Sequence, residues 1–345
     1  MNNSAVRSVG IDVGKAKLDV SYLLADGTAS HQIFSNTKVG IGDLARSLKK
    51  QRTAATVPCV LEATGDYHLL ASLMLSKHGY AVKCINPLIS KKFRRASVRD
   101  AKSDKIDAAR LAEIGTIDRS LPAFDDTRDT IAAKKLLSAL AHLERTRQQL
   151  AGHLQLMTET SKALGIRTSH RETERALACI ERQIAAYRAQ VREAAPPEAR
   201  MLADAIPGVS LDHVAALLVG FGDKHFENRD QLVAFVGLDI RLRQSGGWIG
   251  KQTLSKRGNG YLRKILFHVG WGLMMHNEGY RRIYQAMRAR GKAYRTCIVA
   301  LARKFLRFLF AFYWKKTITL PNRTQVPTLT LPTVSVEPTS LLSTV

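Results

Sequence analysis

The chain has 345 residues, 45% of them hydrophobic, with 53 Lys and Arg against 29 Asp and Glu, a formal charge of +24 and a pI near 10.2. Such length and apolar content are enough for two cored domains with connectors and exclude a chain without a fold. The excess of positive charge selects a polyanionic partner, nucleic acid first, because neutralising phosphates releases condensed counterions; the basic residues are interleaved through folded segments, not gathered in one amphipathic arm, which argues against a membrane surface.

Met1-Asn2-Asn3-Ser4 runs directly into a strand pattern, without the basic and apolar regions of a signal peptide, so export is not expected and a cytoplasmic protein is. Strands are predicted over Val6–Val13, Leu18–Leu24 and Ser30–Phe34, a helix around Ile41–Gln51, a strand over Val57–Leu61, a helix over Tyr67–His78 and a strand over Ala81–Ile85. Three early strands with tight turns such as Ala25-Asp26-Gly27, followed by strand-helix-strand, predict an antiparallel meander joined to parallel strands in one mixed α/β sheet over residues 1–125, an order that suits an RNase H-like fold. After Pro87 the chain turns basic and helical. Long Leu/Ala/Arg/Glu periodicity over 126–195, interrupted near Gly165, predicts two long antiparallel helices, which serve equally well as a spacer or as an oligomerising coiled coil.

Pro196-Pro197 marks a boundary to a mainly α-helical domain over 196–316. It opens with helices at Ala199–Ala205 and about Leu211–Gly220 around Ile206-Pro207-Gly208-Val209. That arrangement resembles a helix-hairpin-helix, whose exposed N–H groups can hold a DNA phosphate, and it suits an ordinary helical turn as well. From Lys256 to Lys316 there are fifteen Lys or Arg residues and a single acid, Glu278. Their aromatic neighbours recur at helical spacing and so are expected in the core. The most apolar stretch, Thr296–Trp314, is broken by Arg303, Lys304 and Arg307, so no membrane span is expected. Residues 317–345, rich in Thr and Pro, are expected to be a disordered tail. Cys59, Cys84, Cys179 and Cys297 stand far apart and are expected as reduced, buried thiols.

Three segments carry acids suited to chemistry. Val9-Gly10-Ile11-Asp12-Val13-Gly14-Lys15 ends a first strand on Asp12, flanked by glycines that let a phosphate or metal approach the backbone. Val60-Leu61-Glu62-Ala63 ends another apolar strand on Glu62. In Asp100-Ala101-Lys102-Ser103-Asp104-Lys105-Ile106-Asp107, Asp104 and Asp107 stand at i and i+3 on one helix face, where they repel unless a cation lies between them. Two magnesium ions held by four carboxylates would supply that charge and assist phosphoryl transfer, and no organic cofactor is expected. Taken singly, Asp104 reads as the N-cap of a helix over Lys105–Ile114 and Asp107 as its first-turn dipole partner. Lys91, Lys92, Arg94, Arg95, Arg99 and Lys102 surround the approach with charge suited to a nucleic-acid backbone.

In the second domain Gly237-Leu238-Asp239-Ile240-Arg241-Leu242-Arg243-Gln244-Ser245-Gly246-Gly247 sets a serine in a glycine-rich loop beside Arg241 and Arg243. Ser255-Lys256-Arg257-Gly258-Asn259 follows, with Leu262-Arg263 after it. A serine near arginines can attack a phosphodiester, and nothing in the residues alone separates Ser245 from Ser255. The set G-I-D-V-G-K, E-A-T-G, K-S-D-K-I-D-A, I-P-G-V, Q-S-G and S-K-R-G-N-x-x-L-R, in this order over residues 6–315, strongly resembles the DEDD transposases of the insertion-sequence family numbered one hundred and ten, relatives of the Piv DNA invertase.

The resemblance implies a RuvC-like N-terminal domain in which Asp12, Glu62, Asp104 and Asp107 bind magnesium. It implies a C-terminal transposase domain in which Ser245 is the covalent nucleophile, because Ser245 matches the family's Ser-Gly motif whereas the Ser255 position accepts threonine. It also implies a dimer or tetramer in which the acids of one subunit meet the serine of another, and a noncoding bridge RNA pairing with donor and target DNA. Arg241, Arg243, Lys256, Arg257 and Arg263 are the C-terminal candidates for nucleic-acid contact. The chain departs from the family where a proline often follows Gly-Leu; here Asp239-Ile240 stands instead. The competing readings are a Piv-like invertase, a junction nuclease in which water attacks, an actin-like or sugar-kinase-like ATPase built on the Asp12 strand, and a non-catalytic scaffold.

Overall fold

The computed structural model describes residues 5–63, 65–94, 103–118, 120–222, 224–241, 244–245, 248–249 and 253–317. The chain divides into two compact units, Met1–Arg128 and Asp129–Val345. The tail, Arg95, Arg99, Lys102 and Arg243 lie outside the described residues.

In the first unit, strands β1 (Val6–Val13), β2 (Lys17–Leu24) and β3 (Ala29–Ser35) form the expected meander. Helix α1 (Lys38–Lys50) follows, its N-terminus capped by Thr37 accepting from Gly40 N–H. Strand β4 (Pro58–Glu62), helix α2 (His68–Lys77) and strand β5 (Ala81–Ile85) complete a five-stranded sheet of order β3-β2-β1-β4-β5, with β4 parallel to both β1 and β5. Helices α3 (Pro87–Arg94) and α4 (Asp104–Ile117) close the unit.

Alternation along β1 divides the two faces. Val9, Ile11 and Val13 join Leu18, Val20, Ile41, Leu44, Leu48 and Leu75 in one apolar cluster. The intervening positions Ser8, Gly10 and Asp12 face the other side, where α4 packs across β1, β2 and β4. This approach is unusually close. A Cβ built on Gly10 would lie 2.0 Å from Ala108 O and 2.3 Å from Ala112 N, and one on Gly115 would lie 2.3 Å from Ser8 Oγ. Gly10 was expected to open the backbone to a phosphate or metal; it serves instead to let α4 lie directly against the strand, because no side chain fits between them.

In the second unit, α5 (Arg128–Leu164) and α6 (Arg171–Ala194) are antiparallel and are followed by α7 (Glu198–Ala205), α8 (Leu211–Phe221) and α9 (Arg229–Val236). Apolar packing of the long pair is concentrated near its base, at Leu137, Leu140, Ile184 and Val191. Arg147–Glu181 (3.3 Å) and Arg188–Glu144 (2.8 Å) join the helices further out, and Leu156, Met157 and Leu164 towards the tip are exposed. Both lie in the second compact unit with the C-terminal helices.

Four two-residue strands come next: β6 (Ile240–Arg241), β7 (Gln244–Ser245), β8 (Trp248–Ile249) and β9 (Thr253–Leu254). Helices α10 (Gly260–His276), α11 (Glu278–Ala289) and α12 (Tyr294–Tyr313) follow. α8 is buried from Val214 to Phe221 and forms the centre of the core. Phe221, Phe226, Phe235 and Trp314 pack on one another, so these aromatics are core residues, whereas Trp271 is 43% exposed. The Pro-Gly turn is built for packing as well: Gly208, at φ 87°, lies so near α10 that a Cβ would come within 2.2 Å of Gly272 O. Among the described residues no helix is long and apolar enough to cross a membrane. All four cysteines are free; Cys59 and Cys297 are buried, but Cys179 on α6 is exposed, against expectation, because it falls on the outer face of the helix.

Candidate active site

Strand register brings the first two acids together. The β1–β4 ladder pairs Gly10 with Val60 and Ile11 with Leu61, so Asp12 and Glu62 are the next residues along two adjacent parallel strands. The third and fourth acids come from α4. Its residues Asp104, Asp107, Ala108, Leu111, Ala112 and Gly115 form one stripe at helical spacing, and the apolar part of that stripe is buried or docked at Gly10. The close glycine contact therefore delivers the first turn of α4 to the ends of β1 and β4. Ser103, not Asp104, is the N-cap: its hydroxyl accepts from Ile106 N–H at 3.3 Å. Asp104 is thus available for contacts outside its own helix.

The electrostatics show a crowded acidic centre. The Asp12 carboxyl is pushed up to about 6, by burial first and then by the charges of Asp104, Asp107, Asp19 and Glu62. The other three expected acids each have an internal partner. Ser90 donates to Glu62 Oε2 at 2.5 Å, Arg110 Nη1 lies 3.3 Å from Asp107 Oδ1, and Lys17 Nζ lies 2.7 Å from Asp104 Oδ2. Among the described residues no three acidic, histidine or cysteine side chains converge on a point that a metal ion would share. The donor set nevertheless suits a hard divalent cation: it is all oxygen, and the repulsion among its carboxylates adds to burial in raising Asp12 to about 6.

Sequence reasoning missed Lys17, Asp19 and His31. Asp19 pairs with Asp12 across β1 and β2 and is 4% exposed. Its Oδ2 accepts from Lys17 at 3.0 Å and its Oδ1 meets His31 Nε2 at 3.0 Å. The available signal was the tight turn, closed by Gly14 N–H to Lys17 O at 2.9 Å, whose register sets Asp19 opposite Asp12. Of the basic approach, Lys91 and Lys92 are exposed on α3, which also carries Arg94.

Ser245 is the second residue of β7, in a short β-ribbon. β7 and β8 pair Gln244 with Ile249 and Ser245 with Trp248, and below them β6 and β9 pair Ile240 with Leu254 and Arg241 with Thr253. Ser255 stands at the base of this ribbon and is buried. Its hydroxyl donates to Asp239 Oδ1, its N–H donates to Asp239 O at 2.9 Å, and its Oγ accepts from Arg257 N–H at 3.3 Å. Asp239, the residue that departs from the family pattern, is therefore the partner that fastens Ser255. Arg263 Nη1 donates inward to Val236 O (3.1 Å) and Gly258 O (2.8 Å), bracing the same base, whereas Lys256 and Arg257 are exposed. Asp239→Ala should lower stability by about 1–3 kcal/mol by leaving the buried Ser255 hydroxyl unpaired, with Asp239→Ser losing less; equal urea midpoints for Asp239→Ala and the parent would contradict this bracing role.

Comparison with known proteins places the chain in a family. A DEDD family model of the IS110 type, described as "Transposase", matches residues 9–164, and one described as "Transposase IS116/IS110/IS902 family" matches residues 201–285. The chain is 27% identical over 321 residues to the pilin gene-inverting protein of Moraxella bovis, covering 88% of this chain and 94% of that protein. It is 32% identical over 107 residues to an insertion element IS110 protein of 43.6 kDa from Streptomyces coelicolor, covering 31% of this chain and 26% of that one. Thermus-type RuvC in complex with a Holliday junction substrate ("T. thermophilus RuvC") aligns at 15% identity and TM-score 0.25 over 34% of this chain and 99% of that chain. The two family matches contain the residues of the two sites built above, and with the relatives they establish that the chain belongs to the IS110-type DEDD transposases, a family of DNA-recombining enzymes.

Proposed function

We propose that this transposase cuts and rejoins DNA through a serine ester, with Asp12, Glu62, Asp104 and Asp107 of an RNase H-like domain holding magnesium and Ser245 acting as nucleophile. The observation that carries the acidic half is Asp12: a carboxyl pushed up to about 6 beside four other carboxylates is a centre that calls for cationic charge. Bound there, magnesium supplies Lewis-acid stabilisation of charge on the scissile phosphate. The carboxylates would hold the metal, and the serine forms the covalent bond. Its Oγ attacks phosphorus, the Oγ–P bond forms as the P–O bond to the leaving sugar oxygen breaks, and the serine proton passes to a base or solvent. Reversal by an incoming DNA hydroxyl restores the serine and joins new ends without an external energy source.

Ser245 is favoured over Ser255 because the Ser255 hydroxyl, itself buried, is committed to Asp239. The remaining expectations extend this reading: DNA donor and target, a bridge RNA that reads sequence by pairing, and a homo-oligomer in which acids and serine come from different subunits. Lys91, Lys92, Arg94, Arg241, Lys256 and Arg257 would meet the nucleic-acid backbone. The relative named for pilin gene inversion supports an invertase as the second reading, since it matches nearly the whole chain.

Trapping on a nicked suicide DNA substrate with magnesium and the candidate RNA tests the mechanism. A protein–DNA adduct is expected from the parent and from Ser255→Thr, and none from Ser245→Ala or Asp104→Ala. Cleavage persisting in Ser245→Ala would assign attack to water and make the enzyme a hydrolytic nuclease.

A further inference from the structure

The acidic site contains a cation of its own. Lys17 opens β2 directly after the turn that leaves Asp12, and its ammonium lies 2.7 Å from Asp104 Oδ2 and 3.0 Å from Asp19 Oδ2. Asp19 does not belong to the DEDD set, but it is the cross-strand partner of Asp12 and is 4% exposed. His31 approaches its second oxygen at 3.0 Å, so Asp19 is clamped from both sides and fixes the root of the Lys17 contact. Residues 17 and 19 of a strand share a face, and cross-strand partners share it too, so the ammonium stands over the carboxylates that repel one another around Asp12.

We propose that Lys17 is a tethered counter-ion of the acidic site: anchored on Asp19, its ammonium competes with a divalent cation for Asp104, so a metal ion binds by displacing it. The inference rests on the reading of the acids as a metal site and adds a residue that reading does not contain. Two consequences follow. The competition sets metal affinity below what the carboxylates alone would give, since every ion bound must break the Lys17–Asp104 pair. The tether also keeps the released ammonium on Asp19 beside the site, where a phosphate of bound DNA offers it the next anion. This makes Lys17 a positioning residue that couples metal loading to the presence of a polyanion.

The physical argument is one of like charges at short range. Two cations cannot share one carboxylate without repulsion, and on a partly exposed surface that repulsion, reduced by solvent, still amounts to about a tenfold effect on an equilibrium. A charge farther away than the screening length would not act this way. Asp19 is what makes the arrangement specific: a lysine without a buried anchor would swing into solvent and compete weakly.

Calorimetric titration of the full chain with Mn2+ alone, without DNA, reads the competition directly, and activity does not enter. Lys17→Met is expected to bind Mn2+ about tenfold more tightly than the parent, Lys17→Arg to bind like the parent, and Lys50→Met, which removes the same charge from the far end of α1, to leave affinity unchanged. Lys17 is half exposed at a strand end, so its replacement is compatible with folding, checked by circular dichroism. If Lys17→Met binds Mn2+ no more tightly than the parent while Asp12→Asn abolishes binding, the counter-ion role is wrong and the metal reading stands. If neither the parent nor Lys17→Met binds Mn2+, both are wrong.

Discussion

Asp12→Asn should make the protein more stable and inactive at the same time. The Asp12 carboxyl is raised from its ordinary 3.8 to about 6, so its charged form is disfavoured in the folded chain. A carboxyl raised on folding contributes stability that is fully present below the unfolded value and lost as pH rises through the folded one. The parent should therefore lose stability between about pH 4 and pH 6 from this group and stay at the lower level above that window. Asparagine keeps the shape and removes the charge. Discounted for the partial solvent access of the site, the gain at pH 7.5 is about 1–2 kcal/mol, read as a higher urea midpoint in chelator, and the slope between pH 4 and pH 6 should flatten. Strand cleavage should fall at least about 100-fold, and Mg2+ should raise the melting temperature of the parent but not of the variant. An Asp12→Asn protein less stable than the parent at pH 7.5 would show that the carboxylate is held by favourable contacts and is not the strained centre of the acidic group.

Gly10→Ala should have the largest structural effect of any single methyl group in the first unit. A methyl at this position meets Ala108 O at 2.0 Å and Ala112 N at 2.3 Å, and both are backbone atoms of a helix packed on a sheet. A flexible side chain could move aside; a helix has to be displaced as a whole. The cost is about 3 kcal/mol or more, at or beyond the upper end for overpacking, and the displaced element carries Asp104 and Asp107. Loss of cleavage should therefore accompany the loss of stability, even though Gly10 touches no substrate. Gly14→Ala is the control, because its Cβ would lie 3.2 Å from Lys17 O, tight but tolerable by a small shift. Thermal melts of both variants distinguish the two, and a Gly10→Ala melting temperature equal to that of the parent would mean that α4 does not rest on β1 as described.

Both effects bear on what can be read in one dimension. The two acid-bearing strand ends were legible because Val9–Ile11 and Val60–Leu61 are apolar runs each followed directly by a carboxylate, and the i, i+3 spacing of Asp104 and Asp107 states their common helix face without reference to anything else. The alternation of strand and helix likewise foretold the mixed sheet, since local periodicity is what specifies an element. The basic, helical character of the second unit was legible from composition in the same way.

Tertiary structure alone decided which long-range partners those residues meet. Taken singly, Asp104 read equally as the cap of its own helix; the fold gives the cap to Ser103 and sets Asp104 against Lys17, a contact between residues 87 positions apart. It paired Asp19 with Asp12 by hairpin register and clamped it with His31. It made Gly10 a docking surface for a helix, and it joined Asp239 to Ser255 at the base of the ribbon that carries Ser245. Periodicity and spacing report which face a side chain takes because those depend on backbone geometry a few residues long. Register between strands and the closeness of a helix to a sheet depend on how whole faces fill space together, and no local stretch of sequence contains that information.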